Sequence, residues 1–141
     1  MKHTVSWVIT SPPYYGMRTY TQDQWLRSWL LGGKPTVQYS MPGEIRHGSP
    51  ETFVHDLNIV WRNVGRIVAD GARLVVRFGG INQRKAKPRE LIRESLKGSG
   101  WKIETAVWAG SASTGRRQAL HFSPSVGNAQ DEIDIWAEWQ G

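Results

Sequence analysis

Residues Thr10 to Gly16 read T-S-P-P-Y-Y-G and place a hydroxyl, two prolines and two aromatic rings side by side. Consecutive prolines cannot lie inside a helix or a central strand, because each lacks an N–H donor. A corner without these donors is rich in hydrogen-bond acceptors. Together with a flat ring, such a corner suits a planar group that carries an NH₂. The stretch is therefore the first candidate for a binding or catalytic site.

A strand must position this corner. Thr4–Ile9 is short, apolar and β-branched, and it stops at the prolines, which favours a strand buried on both faces. Ligands collect at the carboxyl ends of strands in open parallel sheets. We therefore expect the corner to lie at the ligand-binding edge of a sheet.

The helices that would connect such strands are also visible in the sequence. Ser49-Pro50-Glu51 predicts a helix start, because Ser caps the amino end, Pro fits the first turn and Glu favours the positive end of the dipole. Gly71 is expected to end this helix. Its predicted apolar stripe is Phe53, Leu57, Val60, Trp61, Val64, Ile67 and Val68. A second helix is predicted from Pro88 over 89–96, and a short one at Gln22 to Leu31.

Three further strands are predicted at 73–78, 101–109 and 132–139. The resulting order is strand, helix, strand, helix, strand, strand. Strands joined by helices imply a parallel sheet with right-handed crossovers, whereas the last two, joined by a loop, are expected to pair antiparallel. The fold class is therefore α/β.

The composition limits the chemistry. The chain contains no cysteine, and its four histidines form no H-x-x-x-H pair, so we expect no thiolate nucleophile, disulfide or metal site. No apolar run is long enough to cross a bilayer or to form a signal peptide, which predicts an intracellular, cytoplasmic protein. The net charge of +6 suits a polyanionic partner such as nucleic acid, although a merely basic soluble protein remains open.

With its flanks, the corner resembles the (S/D/N)-P-P-(Y/F/W) motif IV of the S-adenosylmethionine-dependent DNA amino-methyltransferases. W-V-I-T-S-P-P-Y-Y-G-M-R-T-Y is similar to the family's strand, tetrapeptide and following segment. G-A-R-L-V-V-R-F-G resembles its next strand, and G-W-K-I-E-T-A-V-W with D-E-I-D-I-W-A-E-W resembles its terminal antiparallel hairpin. A Pro-Pro turn that merely ends a strand is the alternative.

The resemblance implies a single domain over residues 1–141, a partial Rossmann-like methyltransferase sheet of about four strands with two main helices. Ser11 and the carbonyl of Pro12 would hold the exocyclic amine of a flipped base, Pro13 would keep the corner rigid, and Tyr14 would stack on the base. The methyl group would come from S-adenosylmethionine. Ser in the first position slightly favours cytosine N4 over adenine N6, and the absence of cysteine argues against C5-cytosine methylation. DNA methylation of the restriction–modification kind is the implied activity.

Other residues are candidates for contacts with DNA. Tyr15 and Arg18 could line the pocket or touch phosphate, although packing is an equally open role for Tyr15. The connection 110–128 would approach the flipped base in the resembling fold, and its basic and aromatic residues suit phosphate contact and stacking. These residues are Arg116, Arg117, His121 and Phe122. A solvated loop is the alternative for them.

The cofactor half of the family is missing from this sequence. There is no F-x-G-x-G turn, and F-G-G at 78–80 is only superficially similar to one. The target-recognition domain is missing too. Three explanations remain open: a split enzyme whose partner supplies the cofactor half, a truncated gene product, or a non-catalytic remnant that binds nucleic acid or supports an assembly.

Thr4–Ile9 would then be an edge strand that is apolar on both faces, which is an aggregation hazard unless it is covered. We expect a homo-oligomer about a two-fold axis, or a partner chain, to cover it.

Overall fold

The structure of the 141-residue chain, a computed structural model, describes residues 5–16, 26–27, 29–33, 43–80, 87–111 and 131–141. Four strands and two helices longer than one turn lie within these ranges. In chain order they are β1 (Val5–Thr10), α1 (Pro50–Gly65), β2 (Val68–Phe78), α2 (Pro88–Leu96), β3 (Trp101–Ser111) and β4 (Asp131–Trp139). Among the described residues, neither helix has the length and apolar character required to cross a membrane.

The four strands form one mixed sheet in the order β1-β2-β4-β3. β1 pairs parallel with β2, while β4 is antiparallel to both of its neighbours, β2 and β3. The predicted α/β class, partial methyltransferase-type sheet and C-terminal antiparallel hairpin are confirmed. The last strand lies between the two strands that precede it in the chain, so those two do not pair with each other.

Both helices pack on one face of the sheet and form the core with it. Alternate residues of β2 point into this core, because successive side chains of a strand face opposite sides. Two indole hydrogen bonds join the layers: Trp61 Nε1 donates to Ser95 Oγ at 2.9 Å, and Trp101 Nε1 donates to the Trp61 carbonyl at 3.1 Å. The fully buried apolar residues include Phe53, Leu57, Leu74, Val76, Phe78, Ile92 and Ile135.

The amino end of α1 is as predicted, but its carboxyl end is not. The Ser49 side chain accepts a hydrogen bond from the Thr52 N–H, and the Thr52 hydroxyl accepts one from the Ser49 N–H. The helix ends at Gly65 instead of continuing to Gly71. Ile67 is exposed, and Val68 begins β2, where it pairs with Val5 of β1. Strand pairing has therefore overridden the apolar helical stripe that the sequence suggests.

The prediction that β1 is buried on both faces is also wrong. β1 is an edge strand with β2 as its only neighbour in the sheet, and only its Val8 side chain packs against the core. Val5, Trp7 and Ile9, on the opposite face, are 37%, 53% and 76% exposed. The helices cover one face of the sheet, which leaves these three side chains uncovered.

The predicted helix at Gln22 to Leu31 lies partly outside the described residues. Leu26, Arg27, Trp29 and Leu30 are helical, and positions 22–25 and 28 fall outside.

Candidate active site

The T-S-P-P-Y-Y-G corner lies at the carboxyl end of β1, as the sequence predicts. Thr10 pairs with Val76, so the corner leaves the sheet beside the point where β2 ends at Phe78. Ser11 is exposed, whereas Pro12 is buried and Pro13 half-buried. The corner thus presents an accessible hydroxyl on a backbone that the prolines fix in place.

Tyr14 is held by the amino end of β4. Its hydroxyl donates a hydrogen bond of 2.6 Å to Glu132 Oε1, and the two residues are only 8% and 4% exposed. The Tyr14 ring meets Phe78 edge-on, with ring centroids 5.4 Å apart and an interplanar angle of 72°. A ring fixed at its hydroxyl and along its edge has one orientation relative to the corner.

Gly79 provides the space in which the Tyr14 ring lies. A Cβ at this position would be 2.9 Å from Tyr14 Cε2 and 3.2 Å from Glu132 Cγ, closer than ordinary van der Waals contact. The F-G-G sequence after β2 therefore serves to admit the tyrosine. Its similarity to a cofactor turn has this packing explanation.

The second tyrosine turns the other way, into the core. Tyr15 is 6% exposed, stacks on His47 with centroids 6.4 Å apart and packs against Phe53 at 5.4 Å. Gly16 ends the corner with a φ of 85°, a left-handed conformation that glycine adopts without strain. Its N–H donates to His47 Nδ1 at 3.1 Å, so His47 contacts both residues.

An ion pair at the start of α1 supports His47. The Arg46 guanidinium donates to both Asp56 oxygens, at 2.9 and 2.7 Å, and the Arg46 N–H donates to Oδ2 at 2.9 Å. These bonds lower the pKa of Asp56 to about 2, since hydrogen bonds from a cation favour the charged carboxylate. The segment that carries His47 is thereby fixed to the second turn of α1.

Positive charge lies close to the buried carboxylate. Arg77 pairs with Asp134 through two hydrogen bonds, at 2.8 and 2.7 Å. Asp134 raises the pKa of Arg77, and the charges of Glu132 and Tyr14 raise it further. The field of Arg77 in turn favours a charged Glu132.

The structure brings only part of the predicted site set together. Ser11, Pro12, Pro13 and Tyr14 form one corner, and Tyr15 lies in the adjoining core, which corresponds to its packing alternative. Arg18, Arg116, Arg117, His121 and Phe122 lie outside the described residues. The two residues that flank 112–130, Ser111 and Asp131, pair with each other across β3 and β4 at the edge of the sheet where the corner lies. The assigned roles of all these residues stay predictions.

Sequence reasoning missed three residues that position the corner: Glu132, Gly79 and His47. Glu132 falls on the polar alternation of β4, which predicts exposure, and Gly79 only marks the end of a strand. His47 follows a segment without clear periodicity. Their contacts with the corner span 118 residues for Tyr14–Glu132 and 31 for Gly16–His47, and no local pattern reports such distances. Among the described residues, no cluster of ligands could hold a metal ion.

No family model and no curated protein matches the sequence. Solved structures do match: three crystal structures of TTHA0409, the "Putative DNA Modification Methylase" of Thermus thermophilus. The selenomethionine derivative aligns with a TM-score of 0.53, and the native form and the complex with S-adenosyl-L-methionine align with 0.51 each. Sequence identity is 19% in every case, over 99% of this chain and 47% of that one. The chain therefore has the fold of the matched part of that methylase and spans about half of its length.

Proposed function

We propose that the chain is the catalytic half of a DNA amino-methyltransferase, which transfers a methyl group from S-adenosylmethionine to the exocyclic amine of a flipped base. The observation that carries this proposal is the exposed Ser11 on a proline-fixed corner, at the carboxyl end of β1 in a methyltransferase-type sheet. A neighbour in fold has been crystallised with S-adenosylmethionine, which supports the same cofactor here.

In this mechanism, the Ser11 hydroxyl and the Pro12 carbonyl accept hydrogen bonds from the amine. These acceptors orient the nitrogen lone pair and stabilise the positive charge that develops as the nitrogen attacks the methyl group. Tyr14 stacks on the base in an orientation set by Glu132 and Phe78. Cytosine N4 is the favoured target, with adenine N6 second.

S-adenosylmethionine supplies the electrophilic methyl group when it is bound. The part of the chain that the structure describes offers no glycine-rich cofactor turn, because Tyr14 fills the space over Gly79. The proposal therefore includes a partner that supplies the cofactor half. The alternative is a non-catalytic module that binds nucleic acid or supports an assembly.

The test measures modified nucleosides in the DNA of a methylation-deficient host that expresses the chain together with its neighbouring genes. Digestion and mass spectrometry should show N4-methyldeoxycytidine or, failing that, N6-methyldeoxyadenosine. Ser11→Ala should abolish the product. Ser6→Ala, the same change at an exposed position near the opposite end of β1, should leave it intact.

Equal methylation by the Ser11→Ala and wild-type chains would refute the role of the corner. If neither modified nucleoside is found with the wild type, the catalytic proposal falls and the binding module is favoured. Calorimetric titration of the isolated chain with S-adenosylmethionine tests the need for a partner, because strong binding by the chain alone would contradict it.

A further inference from the structure

The two edges of the sheet are protected to different degrees. β3 forms the far edge, and it carries Lys102 and Glu104 and has two irregularities in its pairing with β4. Charges and bulges of this kind discourage pairing with another chain. β1 reads V-S-W-V-I-T without a charge, and its pairing with β2 is regular from Trp7 to Thr10. The unprotected edge is therefore β1.

The apolar surface of the bare face is concentrated at this edge. Ile9 and Trp7 are the most exposed of its large apolar side chains near β1, whereas Val75 and Trp136, further into the sheet, are half-buried. Trp7 meets Trp136 edge-on, with ring centroids 6.2 Å apart. An added strand beside β1 would bury the Trp7 and Ile9 side chains and would satisfy the backbone groups on the free side of the strand.

The surroundings of this patch suit a second copy of the same chain. The charges nearest to it, at Arg77 and Arg73, are neutralised within the chain by Asp134 and Glu104. Because β1 carries no charge, two β1 strands can approach without like-charge repulsion. A two-fold axis normal to the sheet would run them antiparallel and keep the same face upwards in both copies. Trp7 and Ile9 of the two copies would then form one continuous apolar patch.

We propose that the isolated chain forms a two-fold dimer in which β1 of each copy pairs antiparallel with β1 of the other. The sheet then has eight strands, and the two Ser11 corners point to opposite ends of it. This inference rests on β1 alone and not on the proposed reaction. A partner that adds its own strand at β1 must displace the second copy, so dimerisation and completion of the domain compete for one edge.

Sedimentation equilibrium at micromolar concentrations tests the dimer. The wild type should sediment as a discrete dimer. Ile9→Lys should raise the dissociation constant by about a hundredfold, since each copy loses an apolar side chain whose burial stabilises the dimer. Val107→Lys, the same type of change at an exposed position of β3, should sediment as the wild type does. Circular dichroism should show that both variants are folded.

Because the chain lacks cysteine, a single introduced thiol gives a second readout. A short bis-maleimide should cross-link Ile9→Cys into a dimer and leave Val107→Cys monomeric. A monomeric wild type, an Ile9→Lys dimer of unchanged affinity, or open-ended assemblies broken by Val107→Lys would each overturn the proposal. Loss of methyl transfer would not affect it, so the two proposals fail separately.

Discussion

The Tyr14 hydroxyl donates a 2.6 Å hydrogen bond to the Glu132 carboxylate, across 118 residues of sequence and between two buried side chains. The bond joins the corner after the first strand to the beginning of the last one. The orientation of the predicted stacking ring therefore depends on β4.

Removal of the hydroxyl should be costly and should depend on the charge of its acceptor. Tyr14→Phe should lower the free energy of unfolding by about 1.5–3 kcal/mol, the range for hydrogen bonds to charged groups. In the Glu132→Gln background the same change should lower it by only about 0.5–1.5 kcal/mol, because the acceptor is neutral. Urea unfolding of the four proteins gives the coupling energy. Equal effects in both backgrounds would contradict a charge-assisted bond.

Gly79→Ala should destabilise the corner by overpacking. The new Cβ would meet the Tyr14 ring and the Glu132 side chain, and we expect a loss of about 1–3 kcal/mol in unfolding free energy. Gly48→Ala is the matched control, since nothing lies within 4 Å of its added Cβ and the loss there should be close to zero. If the two variants are equally stable in urea, the close packing of Tyr14 over Gly79 is wrong.

The Arg46–Asp56 pair should make stability depend on pH. The pKa of Asp56 is lowered from 3.8 to about 2, so its stabilisation is complete above pH 3.8 and disappears as the pH falls towards 2. Arg46→Gln should therefore be less stable than the wild type at pH 7, and the difference should vanish near pH 2.

Denaturant unfolding at both pH values measures this difference. Arg89→Gln, which removes another exposed arginine, should show no such change with pH. A constant difference between Arg46→Gln and the wild type from pH 7 to pH 2 would count against the pair.

Gly65→Ala should destabilise α1 even though alanine favours a helix by about 1 kcal/mol relative to glycine. The added Cβ would lie 2.2 Å from Cη2 of Trp139, a contact that no small shift relieves. In the Trp139→Leu background the same substitution should become neutral or stabilising, because the ring is gone. Thermal unfolding of the single and double variants decides this, and destabilisation of equal size in both backgrounds would argue against the contact.

The sequence predicts the parts of the fold that local chemistry controls. Ser49 begins α1 through the capping bonds that its side chain suggests, and the prolines place Ser11 at the end of β1. The end of α1 is missed because Ile67 and Val68 continue the helical spacing, while pairing with Val5 draws Val68 into β2. The contacts of Glu132 and His47 with the corner arise only when distant segments meet. They follow from the order of strands and not from any local pattern.

The position of β4 between β2 and β3 has a consequence for synthesis. All ladder hydrogen bonds that tie β3 to the rest of the sheet pass through β4, and β4 is the last of the described strands to leave the ribosome. Until then β2 and β3 are open edges joined only through α2, and the ring of Tyr14 lacks the carboxylate that orients it. Sheet closure and formation of the corner are therefore a single late event, in which contacts between distant segments form together.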